Sequence, residues 1–307
     1  MGAMRDGLIV KALSGFYYVR PEDGGDVVAC RARGLFKKQG ISPLVGDRVR
    51  FESKDDNSGD GTVVELLPRD TELVRPPIAN VDTALIVFSV TRPELNRQLL
   101  DKFLALAELA GLRSTLVLTK ADLMEGPGKD AAALKEDMEK LIALYERIGY
   151  PVFATSARAG AGVEALKRSL EGRIAVIAGQ SGVGKSSLLN RLAPELSLET
   201  NDISEKLGRG KHTTRHVELF RVGESGLLAD TPGFSQLEFP EMDAERLTHA
   251  FPEFSELSSG CKFRGCLHLK EPGCKVIEAV EEGRADAGRY AHYAAFVAEI
   301  RERKRRY

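Results

Sequence analysis

The spacing of apolar and polar residues divides the 307-residue chain into regions of different character. As far as residue 69, apolar and β-branched residues occur in short runs, separated by turn-forming pairs such as Ser14-Gly15 and Gly24-Gly25. These runs predict five short strands, at residues 8–12, 16–20, 27–31, 48–53 and 62–67. Strands this short and this closely spaced predict a small, OB-like β-barrel.

The pattern changes after residues 73–77, which contain two consecutive prolines and therefore predict a linker. Beyond the linker, apolar runs predict strands at residues 81–90, 114–119, 152–155, 174–178 and 226–229. Helical periodicity between these strands predicts helices at residues 96–110, 131–148, 163–170 and 187–192. Alternating strands and helices indicate a mostly parallel sheet that is covered on both faces.

A last helix is predicted at residues 287–306, with Tyr290, Ala294, Val297 and Ile300 on one face. Its end, residues 301–306, is strongly basic. These side chains could bind the phosphate backbone of a nucleic acid, or they could be solvated cations that the helix dipole favours at a C-terminus, and both interpretations stay open. We therefore expect three domains: the barrel in residues 1–75, an α/β domain in residues 76–240 and a helical domain in residues 241–307.

Composition restricts the classes of function only loosely. The chain is 43% hydrophobic and 29% charged, with a formal net charge of -1, as in many soluble globular proteins. It has no apolar run of the ~20 residues that a membrane span needs, and its N-terminus lacks the pattern of a secretory signal. These features predict a cytoplasmic protein that does not contact a membrane.

The barrel has side chains that could bind a nucleic acid, but its net charge does not indicate such binding. Residues 1–75 carry 12 basic and 12 acidic side chains. Aromatic residues on alternating positions usually belong to a core, so RNA binding and ordinary packing are equally good interpretations. The candidate contacts are Arg31, Arg33, Lys37 and Lys38 for phosphates, and Phe16, Tyr17, Tyr18 and Phe36 for base stacking.

A phosphate-binding motif follows the predicted strand at residues 174–178. The sequence fits G-x-x-x-x-G-K-[ST], in which Lys185 would contact the β- and γ-phosphates and Ser186 would ligate Mg²⁺. Backbone N–H groups of such a loop, together with the following helix N-terminus, surround the phosphates. The nucleotide-binding residues are Gly179, Gln180, Ser181, Gly182, Val183, Gly184, Lys185, Ser186 and Ser187.

Two motifs that precede this loop indicate guanine rather than adenine. Thr119, Lys120, Ala121 and Asp122 resemble the N-K-x-D motif of GTPases, where the carboxylate accepts hydrogen bonds from guanine N1–H and its 2-amino group. Adenine lacks that edge, so discrimination is expected to be large. The accessory base-binding loop is predicted at Thr155, Ser156 and Ala157.

A third motif, D-x-x-G, comes after the phosphate loop. Asp230 would hold Mg²⁺ through water and the N–H of Gly233 would meet the γ-phosphate. In most GTPases the base-recognition motifs come last, whereas here they come first, so the order indicates a circular permutation. The segment that follows Asp230 therefore leads directly into the C-terminal region. A nucleotide-dependent movement of this segment would be transmitted to the C-terminal region.

The C-terminal region contains four metal-ligand residues at close spacing. Cys261, Cys266, His268 and Cys274 supply three thiolates and one imidazole, a complete tetrahedral set for zinc with no position left for water. This pattern predicts one structural Zn²⁺, although reduced cysteines beside an unrelated histidine stay an alternative.

The barrel, the permuted GTPase motifs and the Cys-Cys-His-Cys tail, in that order, resemble the bacterial ribosome small subunit-dependent GTPase A family. Supporting segments are residues 43–47, 75–82, 208–214 and 251–254. The resemblance implies a monomeric GTP hydrolase that acts late in assembly of the 30S subunit. Its partners would be GTP/GDP, 16S rRNA and a second assembly factor, which it would help to release.

Two departures from the family pattern affect the site. Thr119 replaces the usual Asn of the base motif, and Arg215 follows His212, Thr213 and Thr214 where a further Thr is common. The implied Mg²⁺ ligands are therefore Ser186, Asp230 and either Thr213 or Thr214.

Phe234 occupies the position after D-x-x-G where many GTPases carry a water-orienting Gln. The hydrolytic role must therefore fall to another residue or to the partner. We predict His212 as a catalytic residue because an imidazole can donate and accept near neutral pH, and Lys185 because it contacts the phosphates; His212 as a plain surface histidine stays the alternative. Two rival functions stay open: an ATP-dependent P-loop kinase or ATPase, and an RNA-binding scaffold with an inactive nucleotide site.

Overall fold

The computed structural model describes residues 3–38, 40–53, 60–74, 76–125, 129–194, 217–232 and 239–305. The chain forms two compact units: one comprises Met1–Ala84, Val163–Ile177 and Lys185–Ser235, and the other comprises Leu85–Gly162, Ala178–Gly184 and Gln236–Tyr307. Over the described segments, no helix is both long enough and apolar enough to cross a bilayer.

The N-terminal part of the first unit is a closed barrel with strand order β1-β2-β3-β5-β4, which confirms the predicted barrel. Its interior is apolar, and Ile9, Val49 and Phe51 have no exposed surface. A short helix, α1, which the sequence pattern did not indicate, follows β3. The elements are β1 (Ala3–Leu13), β2 (Phe16–Pro21), β3 (Val28–Ala32), α1 (Gly34–Lys38), β4 (Arg48–Ser53) and β5 (Asp60–Leu66).

The predicted linker is a two-stranded antiparallel ribbon, formed by β6 (Glu72–Val74) and β7 (Pro77–Ala79). Pro77 is tolerated because it occupies the first position of its strand. Asn80 Nδ2 donates to the carbonyl of Gly46 at 2.8 Å, and the Gly46 backbone approaches Ala79 so closely that a Cβ would lie 2.0 Å from its carbonyl oxygen. The ribbon is therefore packed on the barrel rather than being an extended connection.

A second sheet has six strands in the order β10-β9-β8-β11-β13-β12. The pairs β9–β10 and β11–β13 are parallel, and β12 pairs with β13 as an antiparallel edge strand. All seven residues of β8 are buried, as expected for a strand covered on both faces. The strands are β8 (Thr83–Ser89), β9 (Arg113–Thr119), β10 (Val152–Ala154), β11 (Ile174–Ala178), β12 (Leu219–Val222) and β13 (Gly226–Pro232).

The helices between these strands lie within two residues of the predicted bounds. Asn96 begins the first of them as an N-cap, because its Oδ1 accepts a hydrogen bond from the N–H of Leu99 at 2.9 Å. The helices are α2 (Arg97–Leu109), α3 (Lys129–Ile148), α4 (Val163–Ser169) and α5 (Lys185–Leu192).

The C-terminal region is helical around an aromatic core. Phe251 and Phe254 stack at 5.3 Å between ring centroids, and Tyr293 packs edge-on against both. The elements are a 3₁₀ helix (Ala244–Ala250), α6 (Pro252–Ser258), α7 (Lys275–Glu281) and α8 (Ala287–Arg305). The sequence pattern indicated α8 alone, because helices of seven residues have too few turns to show a periodicity.

A buried ion network holds α8 against α2 within the second unit. Arg289 is 2% exposed and its guanidinium bonds to Asp101 of α2, which is 1% exposed, and to Glu253 of α6 at 2.5 Å. Asp101 also accepts hydrogen bonds from Tyr145 of α3 at 2.8 Å and from His292 at 2.6 Å. One guanidinium thus pairs with the buried carboxylate of Asp101 and the partly buried carboxylate of Glu253, and it joins three segments that are distant in sequence.

We expect Arg289→Ala to destabilise the protein by about 3–5 kcal/mol, since it removes the guanidinium that pairs with the buried carboxylate of Asp101 and the partly buried carboxylate of Glu253. Urea unfolding followed by circular dichroism at constant zinc measures this. Lys304→Ala is the control, because it removes a cation from the same helix at an exposed position. Lys304 pairs with Asp243 in solvent, with 72% of each side chain exposed, so this variant should change the free energy of unfolding little. An equal loss of stability in both variants would contradict the assignment of the network.

Candidate functional site

The phosphate loop leaves β11 at Gly179, where the backbone permits only glycine. Gly179 has φ +146° and runs so close to β8 that a Cβ would lie 2.1 Å from the carbonyl oxygen of Val87. Gly182 and Gly184 also have positive φ, at 79° and 95°. Such a left-handed, side-chain-free path points successive N–H groups to one side, which is the geometry that binds phosphates.

Helix α5 begins at Lys185, two residues earlier than the periodicity indicated. Ser186 and Ser187 therefore lie in its first turn, where unpaired N–H groups and the helix dipole favour an anion. Burial lowers the pKa of Lys185. A partly desolvated ammonium group gains most from a neighbouring negative charge, so this residue suits a phosphate ligand.

Thr119 and Lys120 connect the predicted base motif to the phosphate loop. The hydroxyl of Thr119 lies 3.2 Å from the carbonyl oxygen of Phe88 and is also bonded to the carbonyl of Val183. Lys120 has a left-handed backbone (φ 60°), and its Nζ donates to the carbonyl of Gly182 at 3.1 Å. Thr119 therefore still bonds to the phosphate loop although it replaces the usual amide side chain.

Asp122 lies just beyond Thr119 at the end of β9, in a short 3₁₀ helix (Ala121–Met124). Its Oδ1 accepts a hydrogen bond from Ser156 Oγ at 2.6 Å, and the N–H of Ala121 donates to the carbonyl of Thr155 at 3.0 Å. Thr155 and Ser156 are 0% and 1% exposed, and Ala157 follows them in the same loop. The structure thus brings together the two segments predicted to bind the base, and within the described part of the chain the hydrogen bond to Asp122 is made at Oδ1.

The remaining predicted nucleotide ligands are described only in part. Asp230 is within the last residues of β13, and its side chain is not among those described. His212, Thr213, Thr214 and Gly233 lie outside the described residues. Their assigned roles therefore stay predictions from the sequence.

Sequence reasoning missed the segment that follows β8. Lys120 Nζ donates to the carbonyl of Arg92 as well as to Gly182. Backbone carbonyls leave no trace in a sequence, so no motif pointed to this contact. Asp101 was also missed, although a charged residue on the apolar face of a predicted helix was an available signal.

The predicted zinc ligands Cys261, Cys266, His268 and Cys274 lie together, with one donor atom from each within 4.8 Å of the others. His268 Nδ1 is 3.2 Å from Cys274 Sγ and 3.6 Å from Cys261 Sγ. A Cys₃His set at this spacing encloses a volume suited to a tetrahedral cation.

Neighbouring groups hold the ligands in place. His268 adopts φ 55°, an uncommon conformation for a residue other than glycine, and the hydroxyl of Tyr290 donates to its carbonyl at 2.8 Å. The carboxylate of Glu271 accepts from the N–H groups of Leu267 and Leu269 at 3.1 and 2.7 Å. These bonds fix the loop that carries the imidazole, as outer-shell groups do in metal sites.

The donor set fits zinc chemically. Burial raises the pKa of the Cys266 thiol to about 12 and also raises the pKa of Cys274. Buried neutral thiols become thiolates when a divalent cation binds them, so a bound cation would compensate the charge that burial disfavours. With four protein ligands, the ion would supply cross-linking of the loop and no open coordination site.

Two protein-family models match successive parts of the chain. The RsgA GTPase model matches residues 66–240, and the RsgA N-terminal domain model matches residues 6–63. The chain is 53% identical to proteins named small ribosomal subunit biogenesis GTPase RsgA from Geobacillus kaustophilus and Bacillus anthracis. Each comparison covers 99% of this chain and 100% of the relative.

Solved structures give the same result. The chain is similar to YloQ, described as a circularly permuted GTPase, with a TM-score of 0.84 and 43% identity, covering 98% of this chain and 96% of that one. It is also similar to YjeQ from Thermotoga maritima, with a TM-score of 0.83 and 36% identity, covering 97% and 99% of the two chains.

Proposed function

The chain belongs to the RsgA GTPase family and is a GTP hydrolase with permuted motifs, and from this premise we propose that it acts on the small ribosomal subunit during its biogenesis. The relatives that cover its whole length carry that function in their names. We further propose that the subunit stimulates hydrolysis, and that hydrolysis releases this protein and a second assembly factor.

The observation that best supports GTP as the substrate is the arrangement around Asp122. Ser156 donates to one oxygen of its carboxylate, while Thr119 and Lys120 bond the same loop to the phosphate-binding backbone. Base and phosphate recognition are thereby coupled through direct contacts. A kinase or ATPase would have no use for a carboxylate held in this way, and an inactive scaffold would not need Lys185 and Ser186.

We assign the phosphate chemistry to the residues around the phosphate loop. Lys185 would neutralise charge on the β- and γ-phosphates, and the N–H of Gly233 would bind the γ-phosphate. Ser186, Asp230 and either Thr213 or Thr214 would hold Mg²⁺, which would neutralise charge on the transferred phosphoryl group. These roles follow from motif positions and from the start of α5 at Lys185.

The attacking water needs a partner other than the residue after D-x-x-G, because Phe234 has no polar atom on its side chain. We propose that His212 orients this water, since an imidazole both donates and accepts near neutral pH. Because the usual water-orienting side chain is missing at Phe234, we also propose that the free protein hydrolyses GTP slowly, as other GTPases do when their catalytic set is incomplete.

The proposed partners follow from the same family assignment. We propose that the barrel and the zinc-binding region both contact 16S rRNA, which would raise avidity well beyond that of either contact alone. The protein would act as a monomer in the cytoplasm, where ribosomal subunits are assembled. Residues 1–75, 76–240 and 241–307 remain our proposed division into functional domains.

We expect 30S subunits to raise the kcat for GTP far more than 50S subunits do, and the stimulation to weaken as salt rises because rRNA binding releases counterions. Phosphate release measured with each subunit at several salt concentrations checks this. His212→Ala should lose most of the stimulation while still binding GTP and 30S subunits. Fast GTP hydrolysis by the free enzyme, or equal stimulation by 30S and 50S subunits, would contradict the proposal.

A further inference from the structure

Strand β1 carries a β-bulge close to the place where the barrel contacts β12, and both strands belong to the first compact unit. Ile9 pairs with Val19 of β2 and Lys11 pairs with Tyr18, so the register shifts between them and Val10 is the extra residue. Bulges bend their strand and re-aim a side chain, and they are frequent beside active sites. The direction of Lys11 is therefore a specific feature of this strand.

Lys11 joins the barrel to the residue that precedes β12. Its backbone forms an antiparallel β-bridge with Glu218. Its Nζ lies 2.8 Å from Glu218 Oε2, and 32% of each side chain is exposed. Val217 is 6% exposed and shares a cavity of about 380 Å³ with barrel residues that include Ala12 and Phe16. A backbone bridge and an ion pair thus hold the start of β12 against the barrel.

The start of β12 lies beside the strand that supplies a proposed Mg²⁺ ligand. In the antiparallel pair of β12 and β13, Leu219 is opposite Ala229. Glu218 precedes Leu219 and Asp230 follows Ala229, so the same register places the backbone of Glu218 next to that of Asp230. The barrel therefore contacts β12 at the level where β13 carries Asp230.

The other proposed groups of the hydrolytic site come shortly before Glu218 in the sequence. Thr214 is four residues upstream and His212 is six residues upstream. An extended chain spans at most about 3.6 Å per residue, so Thr214 lies within about 14 Å of Glu218 and His212 within about 22 Å. The position of Glu218 therefore limits where these two residues can be placed.

We propose that Lys11 and Glu218 form a positioning pair for GTP hydrolysis. The pair fixes the start of β12, and it thereby sets the positions of Asp230 on one side and of the segment with His212 on the other. Misplacing a reacting group by about 1 Å can cost about 10²-fold in rate. Partly exposed ion pairs contribute little to stability, so we expect the effect on the rate rather than on folding.

This inference rests on the proposed function, because it uses the roles proposed there for Asp230 and His212, but its test needs no ribosome. In single-turnover GTP hydrolysis by the free protein, Lys11→Glu and Glu218→Lys should each lower the rate of phosphate release by roughly 5- to 100-fold. The double variant restores opposite charges and should recover most of the rate. Affinity for GDP should be unchanged in all three variants, since GDP has no γ-phosphate to position. A purely structural defect would not show this restriction to the rate together with rescue by the swapped pair.

Arg5, also on β1, supplies the matched control. Its Nη2 lies 2.5 Å from Oδ1 of Asp23, so this ion pair is made within the barrel. Arg5→Glu makes the same change of charge as Lys11→Glu and should hydrolyse GTP at the wild-type rate. Lys11→Met is a milder variant that keeps the aliphatic part of the side chain near Tyr18, and it should also be slow. Thermal melting followed by circular dichroism shows that each variant is folded.

Wild-type rates in folded Lys11→Met and Glu218→Lys would overturn the inference. A double variant no faster than either single variant would do the same, because opposite charges would then not be what positions β12. An equal loss of rate in Arg5→Glu would also overturn it, since the effect would belong to the barrel in general.

The same variants separate this inference from the proposed function. If their rates equal that of the wild type while 30S subunits still stimulate hydrolysis, the inference fails and the proposed function stands. If the rate of the free protein depends on the pair but 30S subunits give no stimulation, the ribosomal part of the proposed function fails and the inference stands.

Discussion

The variant Asp122→Asn should bind GTP roughly 10²- to 10⁴-fold more weakly than the wild type and should prefer xanthosine triphosphate. Ser156 Oγ donates to Asp122 Oδ1 at 2.6 Å, so the oxygen of an Asn side chain would keep this contact and its NH₂ group would face the base. Guanine offers only donors at that edge, and two charge-assisted hydrogen bonds of about 1.5–3 kcal/mol each would be lost. Xanthine offers a 2-oxo acceptor instead.

Equilibrium titration with fluorescent GTP, XTP and ATP analogues measures this change of preference. Asp130→Asn makes the same charge change at an exposed position in the first turn of α3 and serves as the matched control. If Asp122→Asn bound GTP as tightly as the control does, Asp122 would not recognise the base.

Removal of zinc should unfold the loop at residues 261–274 and leave the barrel intact. Structural zinc contributes roughly 10–16 kcal/mol of apparent binding free energy in small domains, and without it the buried thiols of Cys266 and Cys274 have no cation to compensate them. We expect one Zn²⁺ per chain. Chelation, or Cys266→Ser, should expose the N–H groups of Lys262 and Lys275 to hydrogen exchange.

Metal analysis together with exchange mass spectrometry checks this result. Cys30→Ala removes the remaining cysteine, which lies buried in the barrel, and should retain one zinc per chain. Protein purified without chelator that contains no zinc would count against the site. An unchanged exchange pattern in Cys266→Ser would do so too.

Much of the fold could be predicted because its signals are local. The barrel strands, the main strands and helices of the central sheet and the last helix each show a periodicity within a short window. The phosphate loop was also predictable, since its glycines are needed by the backbone itself: Gly179, Gly182 and Gly184 all adopt positive φ. The family assignment and the Cys₃His cluster follow from the same kind of short, ordered motif.

Elements that depend on distant partners were not predicted. The ribbon of β6 and β7 has only three residues in each strand, and the Asn80 bond that places it on the barrel joins residues far apart in sequence. The short helices α6 and α7 are stabilised by aromatic packing around Phe254 and by the zinc ligands rather than by any periodicity of their own.

The sequence by itself determined which chemical groups are available and which strand ends carry them, because motif identity and hydrophobic period are properties of neighbouring residues. Only the tertiary structure decided how those groups are held. It placed Ser156 on Asp122, Lys120 on the carbonyls of Gly182 and Arg92, and Arg289 between Asp101 and Glu253. Such contacts join residues that are far apart in sequence, and their strength depends on burial, which is set only when the whole chain packs.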